Sequence, residues 1–161
     1  MGSVQEQGKR MVQHKMKILG INCMNHDASM SVVDGREILW AAHSERYSKV
    51  KNDHFLNWAI VNEAMTYGPF DKVVYYERPL LKKTRQFYAG QYGDAFSYTE
   101  MPRWHLDMFG IKIDQYVKHH DSHAAAGYFT SPFKEEGATI LTVDAIGEWE
   151  YCIRHSHNVV D

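Results

Sequence analysis

The stretch KILGINCMNHDASMSVVDGREILWAA, residues 17–42, decides the fold of this 161-residue chain. It contains three apolar segments of strand length that turn-forming residues separate: Lys17–Cys23, Ser29–Val33 and Glu37–Ala42. Asp34-Gly35 lies between the last two, and Asp-Gly between apolar runs is a strong signal for a β-hairpin. The stretch therefore predicts three consecutive antiparallel strands.

Beyond these strands the apolar pattern alternates between helical and strand periods. Apolar residues recur at helical spacing from Phe55 to Ala64, with Asp53 as the predicted N-cap and Gly68-Pro69 as the stop. Residues 80–109 suggest broken helices, and Asp121–Thr130 an alanine-rich helix. The further predicted strands are Asp71–Glu77, Ile111–Val117 and Thr139–Val143, and the last pairs with Trp149–Arg154 as a hairpin.

The predicted order is β-β-β-α-β-α-β-α, followed by β-β. This order is typical of an α/β fold with a mixed sheet, the ribonuclease H-like lobe, and actin-like ATPases hold nucleotide between two such lobes. We expect a disordered extension at residues 1–15, a first lobe at 16–136 and the opening hairpin of an incomplete second lobe at 137–161. An isolated two-stranded hairpin is marginally stable in water, so we expect the last part to be weakly held or to need a partner chain.

Composition excludes several classes of function. Lys and Arg number 18 against 20 Asp and Glu, so no basic excess indicates nucleic-acid binding. No apolar run approaches the roughly 20 residues that cross a bilayer, and the first fifteen residues do not resemble a secretory signal. The 2 cysteines are far apart and form no disulfide framework. These features favour a reducing, cytoplasmic location.

His119 and His123 are the first candidates for chemistry, because residues four apart share one face of a helix. If Asp121 or Ser122 is the N-cap, however, His119 precedes the helix and helical geometry alone does not set the pair. Two neutral imidazoles on one face can bind a divalent metal. With ten histidines in the chain, chance alone gives roughly 0.6 such pairs, so surface or capping histidines stay open. Asp144 strengthens the metal hypothesis, because it leaves an apolar strand into a glycine-containing turn. A turn aspartate that bonds its own backbone is the alternative.

Two loops supply further candidates. His26 and Asp27, between the first two strands, could act as a general base or orient a substrate by hydrogen bonds, or simply form a polar turn. Lys51 precedes the first long helix and could meet an anionic substrate there. A solvated charged loop is the alternative for Lys51.

Read together, several motifs resemble the N-terminal part of the carbamoyltransferase family of antibiotic and nodulation-factor biosynthesis. The similarity runs from about residue 17 to about residue 150, in the family's order. It rests on ILGINCMNHDAS (18–29), Asp34-Gly35, AHSERYSKVKND (42–53), VVYYERP (73–79), HHDSHA (119–124), Ser131-Pro132-Phe133 and VDAIGEW (143–149).

The resemblance implies an enzyme with an actin-like domain, related to the enzymes that make threonylcarbamoyl-adenosine in tRNA, and a reaction in two steps. Carbamoyl phosphate and ATP give carbamoyl-adenylate, and the carbamoyl group then passes to an acceptor hydroxyl on a sugar or natural product. The resemblance implies that His119, His123 and Asp144 bind iron or zinc. It places His26 and Asp27 beside the carbamoyl group, and Glu148 where it contacts the acceptor.

Three departures from the family pattern qualify this expectation. Ala145 stands where the family usually has glycine, and Ser44 replaces the first residue of an acidic pair. The family is also several times longer, so we expect an N-terminal fragment or one subunit of a split enzyme, inactive alone, with a second chain supplying the rest. The alternatives are an actin-like nucleotide-binding domain with another transferase or kinase activity, and a non-catalytic remnant that binds a metal or a partner.

Overall fold

The computed structural model describes residues 16–24, 27–97, 101–133, 137–144 and 149, and the backbone of 152–157. The predicted extension at residues 1–15 lies outside the described residues. Seven strands and six helices follow one another along the chain: β1 (Lys17–Asn22), β2 (Ser29–Asp34), β3 (Glu37–His43), α1 (Glu45–Ser48), α2 (Trp58–Met65), β4 (Lys72–Tyr75), α3 (Pro79–Tyr88), α4 (Tyr92–Phe96), α5 (Pro102–Asp107), β5 (Gln115–Tyr116), α6 (His119–Phe129), β6 (Ala138–Val143) and β7 (Cys152–His157).

The predicted α/β class with a mixed sheet is confirmed. Five strands form one sheet in the order β3-β2-β1-β4-β5. β1, β2 and β3 pair antiparallel as predicted, whereas β4 and β5 run parallel to β1. The carboxyl ends of β1, β4 and β5 therefore meet at one edge of the sheet, the place where open α/β sheets bind ligands.

One face of the sheet carries the core, because alternate strand residues point to the same side. Leu19, Ile21, Val32 and Tyr75 are at most 3% exposed, and α2 packs its buried residues against them. The opposite face carries smaller residues. Gly20 lies there, and a Cβ atom at this position would approach the Ser31 Oγ to 2.8 Å.

The predicted cap of the first long helix was wrong. Asn57, not Asp53, is the N-cap of α2, and its Oδ1 accepts hydrogen bonds from the amides of Ala59 and Ile60. Asp53 instead accepts from the amide of Phe55 in a local turn, an alternative that short polar side chains offer the backbone. The helix therefore begins at Trp58, three residues after Phe55.

Two predicted boundaries near the candidate site also change. The strand predicted at Ile111–Val117 is only Gln115–Tyr116, because Ile111 is used as a buried core residue before the sheet pairing begins. The helix predicted from Asp121 begins at His119, with Lys118 in an extended conformation as its N-cap. Both histidines of the candidate pair therefore belong to one helix.

The remaining strands form a separate antiparallel pair, β6-β7, as predicted, but the second strand spans Cys152–His157 and not the predicted Trp149–Arg154. In the large sheet, β3 is an edge strand with a bulge. Val32 pairs with Trp40 but Val33 pairs with Ile38, so Leu39 is the extra residue. The bulge turns Trp40 to the core side and leaves Ile38 56% exposed on the other side. None of the helices in the described residues has the length and apolar character that crossing a bilayer requires.

Candidate metal centre

α6 brings the histidine pair to the carboxyl edge of the sheet. Its buried residues, His120, Ala124 and Tyr128, recur every four positions and define the face that packs inward. His119 and His123 occupy the neighbouring face, one turn apart. The order of the letters in HHDSHA therefore places one histidine of the doublet in the interior and the other at the edge.

Ser122 fastens the first turn of α6 to the end of β4. Its Oγ donates a hydrogen bond of 2.7 Å to the carbonyl of Tyr76 and lies 3.2 Å from the carbonyl of Lys118. The ring of Tyr76 also lies against that of His119, with centroids 5.7 Å apart. These contacts fix the position of His119 relative to the sheet.

Asp144 approaches the pair from β6, immediately after the last residue of that strand. Its Oδ2 lies 2.8 Å from the Nε2 of His119 and 3.6 Å from the Nε2 of His123. The two Nε2 atoms are 3.1 Å apart. The possible ligand atoms of all three residues lie within 4.8 Å of one another. They therefore converge on one point, although His119 and Asp144 are 25 positions apart in the sequence.

The Nε2 of His119 faces two partners, the Oδ2 of Asp144 and the Nε2 of His123, and one ring nitrogen carries at most one N–H. A neutral imidazole carries one N–H, and an ionised carboxylate carries none. Burial and the neighbouring His119 lower the pKa of His123, although Asp144 acts in the opposite direction. His123 is therefore neutral at pH 7 and can offer a lone pair.

The donor set fits a divalent transition metal. Two imidazoles and one carboxylate with room for further ligands suit iron or zinc, and ligand atoms about 2.1 Å from a metal stand about 3.0 to 3.4 Å apart in octahedral or tetrahedral geometry. The side chains of His119, Asp144 and His123 are 12%, 33% and 55% exposed, so the cluster opens towards solvent on one side. The Nδ1 of His119 is buried without a hydrogen-bond partner among the described atoms.

The loops of two other candidates lie side by side. The amide of Ala28 donates to the carbonyl of Asp53, and that of Met24 donates to the carbonyl of His54. These bonds join the loop that carries Asp27 to the segment that follows Lys51. Asp27 has a positive φ of 54°, and Lys51 is exposed in a turn. Neither residue belongs to the cluster of ligand atoms.

His26 and Glu148 lie outside the described residues, so their predicted roles stay predictions. The sequence interpretation overlooked Ser122 and Tyr76, which position α6. The spacing of Ser122 from His119 was visible in the sequence, since three residues apart on a helix means the same side of it. That the end of β4 reaches this side is seen only in the structure. The ring of Tyr76 carried no such signal, because its contact with His119 depends on how β4 and α6 pack.

Comparison with known proteins agrees with the resemblance in the sequence. Residues 107–159 match the family model described as carbamoyltransferase N-terminus. The matched range includes α6, β6 and β7 and therefore all three residues of the cluster. A protein of Synechocystis sp., described as uncharacterized, is 26% identical in an alignment 160 positions long that covers 82% of this chain. The chain spans about a quarter of that protein's length, since the alignment covers 26% of it.

Over residues 107–159 the resemblance to the N-terminal part of carbamoyltransferases is confirmed.

Proposed function

We propose that this chain is the N-terminal part of a metal-dependent O-carbamoyltransferase, and that His119, His123 and Asp144 bind its iron or zinc ion. The observation that carries the proposal is the convergence of two imidazole nitrogens and one carboxylate oxygen inside the range that matches the carbamoyltransferase model. A metal at this site would supply positive charge for the phosphate oxygens of a bound nucleotide.

The reaction we propose is transfer of a carbamoyl group from carbamoyl-adenylate, itself made from carbamoyl phosphate and ATP. The acceptor oxygen forms a bond to the carbamoyl carbon, the bond from that carbon to the phosphate oxygen breaks, and AMP leaves. The acceptor hydroxyl loses its proton in this step. Asp27, and His26 beside it in sequence, are our candidates to receive that proton, and Lys51 and Glu148 our candidates for contacts with substrates.

The five-stranded sheet supports a finer proposal about the fold. We propose that residues 16–136 form a ribonuclease H-like lobe of the actin-like class and that residues 137–161 begin a second lobe. β6 and β7 pair only with each other among the described strands, which is the arrangement expected of an opening hairpin. The adenylate-forming step and the rest of the second lobe would then belong to further sequence or to a second chain.

The metal is tested first, because its binding needs no acceptor. After anaerobic loading with Fe²⁺ or Zn²⁺ and dialysis, we expect about one ion per chain. The double variant His119→Ala, His123→Ala should retain less than a tenth of that amount. A matched control removes two exposed histidines that do not belong to the cluster, His43→Ala and His54→Ala, and should keep the full amount.

Equal metal content in the two double variants would contradict the proposed site. The reaction is tested separately with carbamoyl phosphate, ATP and a sugar acceptor. We expect little or no carbamoylated product from this chain alone, and product when the remaining domains are supplied. Full turnover by this chain alone would contradict the proposal that the other domains are needed.

A further inference from the structure

A cavity borders Tyr116, the last residue of β5, and none of the three residues of the proposed metal site lines it. Three elements line it: the first turn of α3, the residues that enter α5, and β5. Its volume is about 550 Å³, within the range of sites for small molecules. The cavity is therefore large enough for a ligand of about a dozen non-hydrogen atoms or more.

Most of the cavity wall is apolar. Leu80, Leu81 and Met101 supply side chains to it, and Leu80 is 71% exposed although it lies in the first turn of a helix that packs on the protein. Apolar surface that stays in water costs roughly 25 cal/mol per Å² relative to covered surface. An apolar ligand body would cover this wall.

The polar groups at the cavity all favour negative charge. Arg78 and Arg103 contribute two guanidinium groups, and Tyr116 contributes a phenol. Burial raises the pKa of Tyr116, the positive charge of Arg103 acts against that rise, and the negative charge of Asp107 adds to it. None of the described residues that line the cavity is acidic. Guanidinium groups recognise phosphate and carboxylate by paired hydrogen bonds.

We propose that this cavity binds a small amphipathic anion, with its phosphate or carboxylate group between Arg78 and Arg103 and its apolar body on Leu80, Leu81 and Met101. The hydroxyl of Tyr116 donates a hydrogen bond to the same anionic group. This site is independent of the proposed carbamoyl transfer, because it uses none of the metal ligands.

The test uses four probes with related structures in titrations followed by calorimetry and by amide chemical shifts. Octyl phosphate carries both the anion and the chain. Octyl glucoside and octylammonium carry the same chain with a neutral or a positive head, and inorganic phosphate carries the head alone. We expect octyl phosphate to bind at least about ten times more tightly than each of the others, with shifts at Leu81 and Tyr116.

Two variants locate the binding. Arg103→Gln removes one guanidinium from an exposed position and should weaken octyl phosphate binding about tenfold or more. Leu80→Ser removes part of the wall and should weaken octyl phosphate binding while leaving any inorganic phosphate binding unchanged. Arg46→Gln, on α1 and 79% exposed, is the matched control and should bind like the wild type.

Three results would overturn the proposal. They are unchanged affinity in Arg103→Gln, equal affinity for octyl glucoside and octyl phosphate, and equal affinity for inorganic phosphate and octyl phosphate. Loss of metal binding in the variants of the histidine pair has no bearing on it, so the two proposals fail separately.

Discussion

His105 shows how a single buried imidazole makes stability depend on pH. Its Nε2 accepts a hydrogen bond of 3.0 Å from the amide of Leu56, just before α2, and the residue is 3% exposed. Burial lowers the pKa of His105, although Asp53 acts in the opposite direction. The folded protein therefore holds this imidazole neutral at a pH where the unfolded chain already protonates it.

The sign of the effect follows from proton binding. Between the ordinary histidine pKa near 6.5 and the lower folded value, the unfolded state binds more protons, so stability falls as the pH falls. We expect a loss of about 1.4 kcal/mol for each pH unit within that window. Urea unfolding at pH 7.5 and 5.5 measures it.

His105→Gln keeps an acceptor for the Leu56 amide but cannot titrate in this window. The variant should lose less stability than the wild type between the two pH values. His54→Gln, which changes an exposed histidine, is the control and should behave like the wild type. The same pH slope in His105→Gln and the wild type would show that another group carries the dependence.

Sequence patterns identified the three residues that the structure brings together, but not the residues that hold them in place. The spacing of His119 and His123 is visible in the letters, and the cluster brings both to Asp144. Whether His119 lies before α6 or within it depends on which residue is the N-cap. The N-cap is Lys118, which is extended and makes no capping hydrogen bond through its side chain. No side-chain signal marks that kind of start, so the sequence left it open.

At the scale of elements, α2 depends on its cap. Asn57 accepts from two amides of the first turn, and its Nδ2 donates to the Oγ of the buried Ser44, 3.0 Å away. Asn57→Ala should lower the free energy of unfolding by about 1 to 2 kcal/mol, as measured by urea unfolding. Asn57→Asp keeps the acceptor and should lose less. Equal losses in the two variants would assign the effect to Ser44 instead of the cap.

The close approach of β1 and β2 gives a second test. In Gly20→Ala, the new Cβ would lie 2.8 Å from the Ser31 Oγ, so the serine must rotate or the strands must shift. We expect a loss of about 1 kcal/mol. Adding Ser31→Ala removes the obstructing oxygen and should restore at least half of that loss in a double-mutant cycle. Strict additivity of the two changes would contradict a direct clash.

The first three strands of the large sheet could be predicted because apolar runs and Asp34-Gly35 specify them locally. β5 could not, since Ile111 and Ile113 alternate like strand residues but pack against the core. Alternating apolar residues show only that one side of a segment is buried. A segment without strand structure can bury alternate side chains in the same way as a strand. Asp53 and Asn57 are both good capping residues, and only the packing of α2 decides between them.

At the scale of the whole molecule, the contacts of Asp144 with His119 and His123 join the end of β6 to α6. β6 belongs to the two-stranded sheet, whereas the histidines belong to α6, which Ser122 attaches to the large sheet. A ligand that binds only the folded arrangement stabilises it by mass action, about 2.7 kcal/mol at 100 times its dissociation constant. Metal should therefore stabilise the attachment of β6.

Amide hydrogen exchange measures this attachment. Without metal, we expect Leu141 and Val143 to exchange faster than Leu19 and Ile21 in β1. Zinc at 100 times its dissociation constant should slow exchange in β6 by up to about 100-fold. His123→Ala is the control, because it should remove the effect of zinc. Strong protection of residues 139–143 without metal would contradict the expectation that the part after residue 136 is weakly held.

The extra residue in β3 has a consequence for how copies of this protein behave in crowded solution. Two copies could pair through their β3 edge strands only if the outward N–H and C=O groups of β3 were evenly spaced. Leu39, the extra residue of the bulge, interrupts that spacing. We therefore expect that the edge strand β3 does not pair with β3 of another copy at high protein concentration or on freezing. Deleting Leu39 would restore even spacing while Trp40 keeps its place opposite Val32 on the core side, and we expect that variant to form fibres more readily than the wild type.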